Sequence, residues 1–256
     1  MHKSKALLGA VLVILIGLLI WFRPQPSLVE TIPAVEHADD PVPDFKQYED
    51  VRDKKQAFFE YLKPAVVAQN DYFREVRQFL KELQAKVDGG NGLSSDEQEQ
   101  LNWLIDEYRV ETDQDLDAAF TTLLRRVDII PVELVLVQSA NESAWGTSRF
   151  AVEGYNFFGM WCFVEDCGFV PKRRNEGAIH EVAKYDDLSA AMYSYMRNLN
   201  RHPAYKELRA IRAELRASNK PITAMKLAEG LVQYSERGEE YIEELQQMIR
   251  VNRELI

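Results

Sequence analysis

Apolar side chains recur at steps of three and four from Phe45 onward, and the breakers fall between the periodic runs rather than inside them, which predicts a mostly helical body. Phe73, Val76, Leu80, Leu83 and Val87 make one stripe, closed by Gly89-Gly90, as in a long amphipathic helix with a single buried face. Ser95 and Gln98 read as a capping box opening a helix through Leu101, Leu104, Ile105 and Tyr108. Thr112 opens another, carrying Leu116, Phe120, Leu123, Leu124 and Val127. None of these segments holds a paired catalytic constellation, so residues 44–127 read as a helical subdomain that buttresses the C-terminal half of the chain.

Residues 130–145 break this pattern. Pro131 stands where a helix begins, and the run after it is nearly all apolar until its last turn, as expected of a buried helix that Gly146 ends. Val135, Gln138, Glu142 and Trp145 share one stripe, which puts a carboxylate and an indole on the same face. Burial and the negative end of the helix dipole both raise a carboxyl pKa, so Glu142 has the setting of a general acid for a glycosidic oxygen. The other reading is a helix-end residue bonded to a local backbone amide.

The N-terminus departs from amphipathic patterning. Residues 6–22 are 17 uncharged positions, about 25 Å of helix and just enough to cross a bilayer's hydrocarbon core. His2, Lys3 and Lys5 precede this run and Arg23 follows it, which orients residues 1–23 as a signal anchor with its start in the cytoplasm and the body across the inner membrane, in the periplasm. A cleaved signal peptide has the same charge layout, but no small-x-small cleavage site is evident. Prolines 24, 26, 33, 41 and 43 mark residues 24–43 as a stiff linker, leaving 128–256 as the candidate catalytic domain.

Charge narrows the function classes. The chain has 31 Lys and Arg against 41 Asp and Glu, a net −10, which excludes a nucleic-acid binder that works by bulk charge. Residues 96–117 hold nine acids and one base, a solvated face. Arg209, Arg212 and Arg216 form a basic helical stripe and Lys172, Arg173 and Arg174 a second cluster; each is either a contact for stem-peptide carboxylates or an ordinary solvated face. Cys162 and Cys167 are the only cysteines, and in an oxidising periplasm they form a local disulfide; the alternative is two free thiols. A zinc site would need two more ligands, and His180 and His202 stand at no recognised spacing. No P-loop, nucleotide fingerprint or Ser/His/Asp signature competes.

Residues 138–151 (QSANESAWGTSRFA) followed by 155–162 (YNFFGMWC) resemble the motif of the flagellar peptidoglycan-hydrolase type of β-N-acetylglucosaminidase, glycoside hydrolase family seventy-three. The resemblance is strongest to the Bax-type branch and extends over nearly all of residues 45–256, including 180–205 and 234–252. It implies a lysozyme-like, mainly α (α+β) catalytic domain with a small β-hairpin lobe. It also implies hydrolysis of the N-acetylglucosaminyl-β-1,4 bond of peptidoglycan glycan strands by a monomer that needs no metal or organic cofactor. Glu142 takes the position of the catalytic acid. The second catalytic carboxylate sits on the β-lobe in such enzymes. Residues 168–185 read as two short strands around a glycine turn and offer Glu176 or Glu181, between which gap placement decides. Neither need be a base if the substrate's N-acetyl group assists.

Tyr205, in the sequence His202-Pro203-Ala204-Tyr205, matches the family's Asn-Pro-x-Tyr tyrosine beside the cleaved bond, with His202 replacing the usual Asn. Asn156, Phe157, Phe158 and Gly159 match an Asn-Leu-Phe-Gly element under the cleft; Asn156 and Phe157 are candidate sugar contacts and Phe158 a core residue. Trp145, Trp161, Tyr185 and Tyr234 are further candidate contacts, and each tryptophan serves equally well as packing. The rival activities are a lytic transglycosylase and a glycan-binding scaffold without catalysis.

Overall fold

The computed structural model describes residues 28–111, 115–171 and 179–256. Two units separate, Met1–Thr31 and Ile32–Ile256, and the fold belongs to the second. Among the described residues no helix is long and apolar enough to cross a membrane; the apolar run at 6–22 lies outside them.

Helix α1 (Val51–Asp88) starts at Asp50, whose carboxylate accepts from the amides of Arg52 and Asp53. Its predicted stripe is buried at Phe73, Val76, Leu80 and Leu83, with Val87 half-buried. Contrary to expectation, one breaker lies inside a helix. Pro64 sits on the exposed side of α1, where the missing N–H removes a bond at a solvated position. The capping box of α2 (Ser95–Glu107) falls one residue earlier than the pattern suggested: Ser94 Oγ accepts from Glu97 N at 3.2 Å and Glu97 Oε2 accepts from Ser94 N at 2.6 Å. Lys86 Nζ holds the same carboxylate at 2.6 Å, which favours Glu97 over Gln98 as the reciprocal partner. Helix α3 (Leu116–Arg126) begins at an Asp115 cap rather than at Thr112, which lies outside the described residues.

The predicted buried helix is α4 (Val132–Ser143). Leu134, Val135, Leu136, Val137 and Ala140 are all fully buried, and α4 packs on α1. Each such aliphatic side chain contributes about 1.5–3 kcal/mol of transfer free energy. After the short helix α5 (Arg149–Gly154) comes a sheet of three strands, β1 (Trp161–Cys162), β2 (Gly168–Phe169) and β3 (Glu181–Ala183). The central strand is β3, antiparallel to both neighbours: Cys162 faces Glu181, and Gly168 faces Ala183. The predicted hairpin is therefore β2 with β3, and β1 adds a third strand. Gly168 is required here, because a Cβ would lie 2.0 Å from the Val182 carbonyl oxygen. Residues 172–178, including Glu176 and the Lys172–Arg173–Arg174 cluster, lie outside the described residues.

Helix α6 (Leu188–Arg201), a 3-10 turn (Pro203–Tyr205), α7 (Lys206–Ala217), α8 (Ala224–Ala228), a second 3-10 turn (Glu229–Leu231) and α9 (Glu239–Asn252) complete the unit. Helix α1 packs on α6, and α9 packs on α4 and α8. From residue 32 the proline-rich stretch lies against the body: Val35 N donates to Ser189 Oγ at 3.1 Å, Leu188 N to Ala38 O at 2.9 Å, and Tyr155 Oη to Asp39 O at 2.9 Å.

Two of the three arginines of the α7 stripe, Arg209 and Arg212, are buried rather than on a solvated face, and the more exposed Arg216 pairs with a buried carboxylate. Arg212 is 1% exposed and donates to the carbonyls of Asp128, Ile129, Arg125 and Arg126 and to Asn200 Oδ1. Two of those carbonyls end α3, so the guanidinium caps that helix where its dipole is negative. Arg209 donates to the carbonyls of Leu199 and His202 at 2.9 Å each, and Arg216 grips Asp128 through Nε and Nη2 at 2.5 Å each.

Candidate active site

Glu142 is the penultimate residue of α4. The turn after it is not a simple glycine stop: Ala144, Trp145 and Gly146 take successive φ values of 52°, 60° and 75°. Helix α4 thus ends at Ser143, and the chain reverses through three left-handed residues, two of which carry side chains that disfavour this conformation. Packing holds the turn. Trp145 lies 5.7 Å from the Phe58 ring and 5.4 Å from that of Phe59, with Lys55 Nζ 4.9 Å from its centroid. Ser143 Oγ accepts from Gly146 N at 2.8 Å. Trp145 is accordingly off the Glu142 stripe and packs on α1. A Cβ on Gly146 would stand 2.5 Å from Phe45 Cδ2, so Gly146→Ala is expected to destabilise by on the order of 1–3 kcal/mol, measured by urea unfolding.

An open groove of about 410 Å³ lies in front of Glu142, walled by Phe158, Gly159, Met160, Trp161, Phe163, Asn198, His202, Tyr205 and Tyr234. Among the described residues Glu142 is its one carboxylate. Trp161 is 57% exposed and stacks on His180 at 4.2 Å, presenting a flat apolar face. Phe158 lines the groove and also lies flat on Tyr195 at 3.6 Å, so it serves both core and cleft.

Asn156 fixes the floor from below. Its amide donates to Met160 O at 2.9 Å and Ala183 O at 2.8 Å and accepts from the amides of Phe158 and Met160, joining the loop to β3. The side chain is fully engaged and buried. Phe157 is buried against Phe58 and Tyr61. Tyr185 donates to Ser194 Oγ at 3.1 Å and is not among the groove's lining residues. Tyr234 reaches the groove and donates to Phe158 O at 3.1 Å.

Tyr205 stands in the groove wall with Glu142. Burial pushes its phenol pKa up to about 12, Glu142 adds to this, and a bond with Asn198 opposes it, so the hydroxyl stays neutral. His202 Nδ1 accepts from Ala204 N at 3.2 Å and caps the 3-10 turn that carries Tyr205. Burial, aided by Arg109, Arg209 and Arg201, holds the imidazole pKa below its ordinary value, which keeps that nitrogen an acceptor.

The groove leaves Glu142 open to solvent, yet protein atoms crowd its carboxyl, and desolvation raises its pKa above the ordinary carboxylate range. Bonds from Tyr241 and Asn141 pull the other way, Glu244 adds to the rise and Arg237 offsets it. Tyr241 Oη donates to Glu142 Oε1 at 2.8 Å. That tyrosine is the site residue the sequence reading missed. The one visible signal was its place in the 234–252 segment, seven residues after Tyr234, on which its ring stacks at 5.5 Å.

Glu181 lies elsewhere. It is 5% exposed, and Oε2 accepts from Gly168 N at 2.8 Å, tying β3 to β2. Its neighbours Cys162 and Cys167 form a disulfide that closes the strand-to-strand loop. With Glu181 these sulfurs are the one grouping of potential metal ligands among the described residues, and the disulfide occupies both.

Comparison with known proteins places the chain in a family. The family model described as glucosaminidase, mannosyl-glycoprotein endo-beta-N-acetylglucosaminidase, matches residues 117–254. The chain is 32% identical over 218 residues to Protein bax of Escherichia coli (strain K12), covering 84% of this chain and 76% of that protein. No solved structure matches.

Proposed function

The chain belongs to the glucosaminidase family, in its Bax-type branch, and from that premise we propose that it is a peptidoglycan hydrolase cleaving the N-acetylglucosaminyl-β-1,4 bond, with Glu142 as general acid. The observation that carries this reading is a carboxyl of raised pKa opening into a groove walled by aromatic rings. Glu142 gives its proton to the glycosidic oxygen as the bond to C1 breaks, and the positive charge on the sugar develops beside the Tyr205 hydroxyl.

With Glu181 engaged by Gly168, the substrate's own acetamido oxygen is the nucleophile this geometry supports best. Water then opens the cyclic intermediate and gives its proton to the Glu142 carboxylate, which restores the acid. Glu176, outside the described residues, is the alternative base. In this reading residues 1–23 anchor the enzyme in the inner membrane and the domain works in the periplasm, where a disulfide persists.

Mass spectrometry of glycan fragments released by the purified full chain tests the proposal. New reducing N-acetylglucosamine ends that carry one added water support it. Anhydro-sugar ends identify a transglycosylase, and binding without fragments identifies a scaffold. The acid must be protonated, so kcat is expected to fall as pH rises through Glu142's elevated pKa, an alkaline limb that begins above the ordinary carboxylate range. A kcat–pH series from pH 4 to 9 checks this.

A further inference from the structure

Behind Glu142 runs a buried chain of polar groups that the mechanism above does not use. Tyr241 Oη, which donates to Glu142 Oε1 at 2.8 Å, accepts from Gln138 Nε2 at 3.1 Å, and Gln138 Oε1 accepts in turn from Tyr195 Oη. Every donor points toward the carboxylate. Gln138 and Tyr195 are fully buried and Tyr241 is 2% exposed. Three such polar groups in an apolar core are costly unless mutually satisfied, and here each satisfies the next. Gln138 lies one helical turn before Glu142 on α4, while the tyrosines come from α6 and α9, so the chain couples three helices at the acid.

We propose that Tyr241 is a positioning residue, held in place by Gln138 and Tyr195, which keeps Oε1 of Glu142 as an acceptor so that the transferable proton resides on Oε2. A carboxylic acid has one proton and two oxygens, and only a proton directed at the glycosidic oxygen is useful. A hydroxyl that donates to Oε1 favours the orientation with Oε1 as the bare acceptor. It also favours the ionised state, which limits how far desolvation raises the pKa. The proposal rests on Glu142 acting as the acid.

The charged and titratable groups facing Glu142 are Tyr241 and Glu244 from α9, Arg237 just before it, Tyr234 before that, Tyr195 from α6, Tyr205 from the 3-10 turn, and His202, which lines the same groove and whose pKa burial holds below its ordinary value. Burial raises the phenol pKa of all four tyrosines, so none titrates in competition with Glu142 near neutral pH.

The test uses the full chain and three variants. In Tyr241→Phe the ring remains on Tyr234 and only the hydroxyl is lost. A bond to a charged acceptor accounts for about one pKa unit, so the titration of Glu142 is expected to move upward by about one unit. That titration is read as the carboxyl carbon-13 resonance absent from Glu142→Gln. Tyr195→Phe removes the far donor and should shift the titration the same way by less. On peptidoglycan, kcat should fall about tenfold for Tyr241→Phe with KM unchanged, and the alkaline limb should follow the titration. Tyr193→Phe, which loses a comparable hydroxyl bond to Glu107, should lower the melting temperature and leave the resonance in place. A Tyr241→Phe titration that coincides with that of the wild type overturns the proposal, whatever the enzyme does. A shifted titration in a protein that releases no glycan fragments would keep the network and sink the hydrolase reading instead.

Discussion

Glu142→Gln is expected to lower turnover on peptidoglycan by roughly 10²–10⁴-fold while leaving the fold intact, with a melting temperature at neutral pH equal to or above that of the wild type. The amide oxygen still accepts from Tyr241, and no buried packing is removed. The stability side follows from the raised pKa. A carboxyl whose pKa is higher in the folded than in the unfolded chain contributes stability below its unfolded pKa, and this is lost as pH rises through the folded value. Glu142 ionised at neutral pH is therefore a stability cost, and Gln removes it. Melting curves at pH 4 and pH 7 should show the variant gaining on the wild type as pH rises. Release of reducing ends at the wild-type rate by this variant would remove Glu142 from the mechanism.

In the sequence Glu142 stood out as a candidate through its stripe with Trp145 and its motif, with a helix-end residue as the other reading. A carboxylate and an indole together near the end of a largely buried helix are a candidate for chemistry, since departures from local preference concentrate at functional sites. The helices, the hairpin and the cysteine pair were equally readable, since each is encoded within a few residues of itself. What was not readable depends on distant partners. Tyr241 meets Glu142 across 99 positions, and Tyr195 meets Gln138 across 57. Asn156 looked like a sugar contact because its type and motif fit one, yet its four bonds are spent on the loop and on β3. Trp145 left its stripe because the helix ends two residues before it, in a left-handed turn that Gly146 completes and that packing on Phe58 and Phe59 holds.

The arginine stripe of α7 misled for the same reason, and it carries the largest stability prediction. Spacing of three and four with charged residues ordinarily means a solvated face. Here the counter-charge is Asp128, 88 positions before Arg216, with its side chain only 4% exposed. Burial alone would raise the Asp128 pKa; the Arg216 hydrogen bonds and the charges of Arg212 and Arg77 outweigh it and hold the carboxyl below its ordinary value. Arg77 in turn donates to Val127 O at 3.0 Å, so α1, the end of α3 and α7 all meet at this one carboxylate.

Asp128→Ala leaves the buried Arg212 guanidinium with neighbouring cations and no counter-ion, a change expected to cost about 3–5 kcal/mol. Asp128→Asn keeps the shape and should retain most of that loss, because the missing element is the charge. With a depressed folded pKa, the carboxylate contributes stability above its unfolded pKa, and the contribution is lost as pH falls through the folded value. Urea unfolding of wild type and Asp128→Asn should therefore differ most at neutral pH and converge in acid below the ordinary carboxylate range. Equal midpoints at pH 7 would mean that the backbone carbonyls around Arg212 suffice to hold it without the acid.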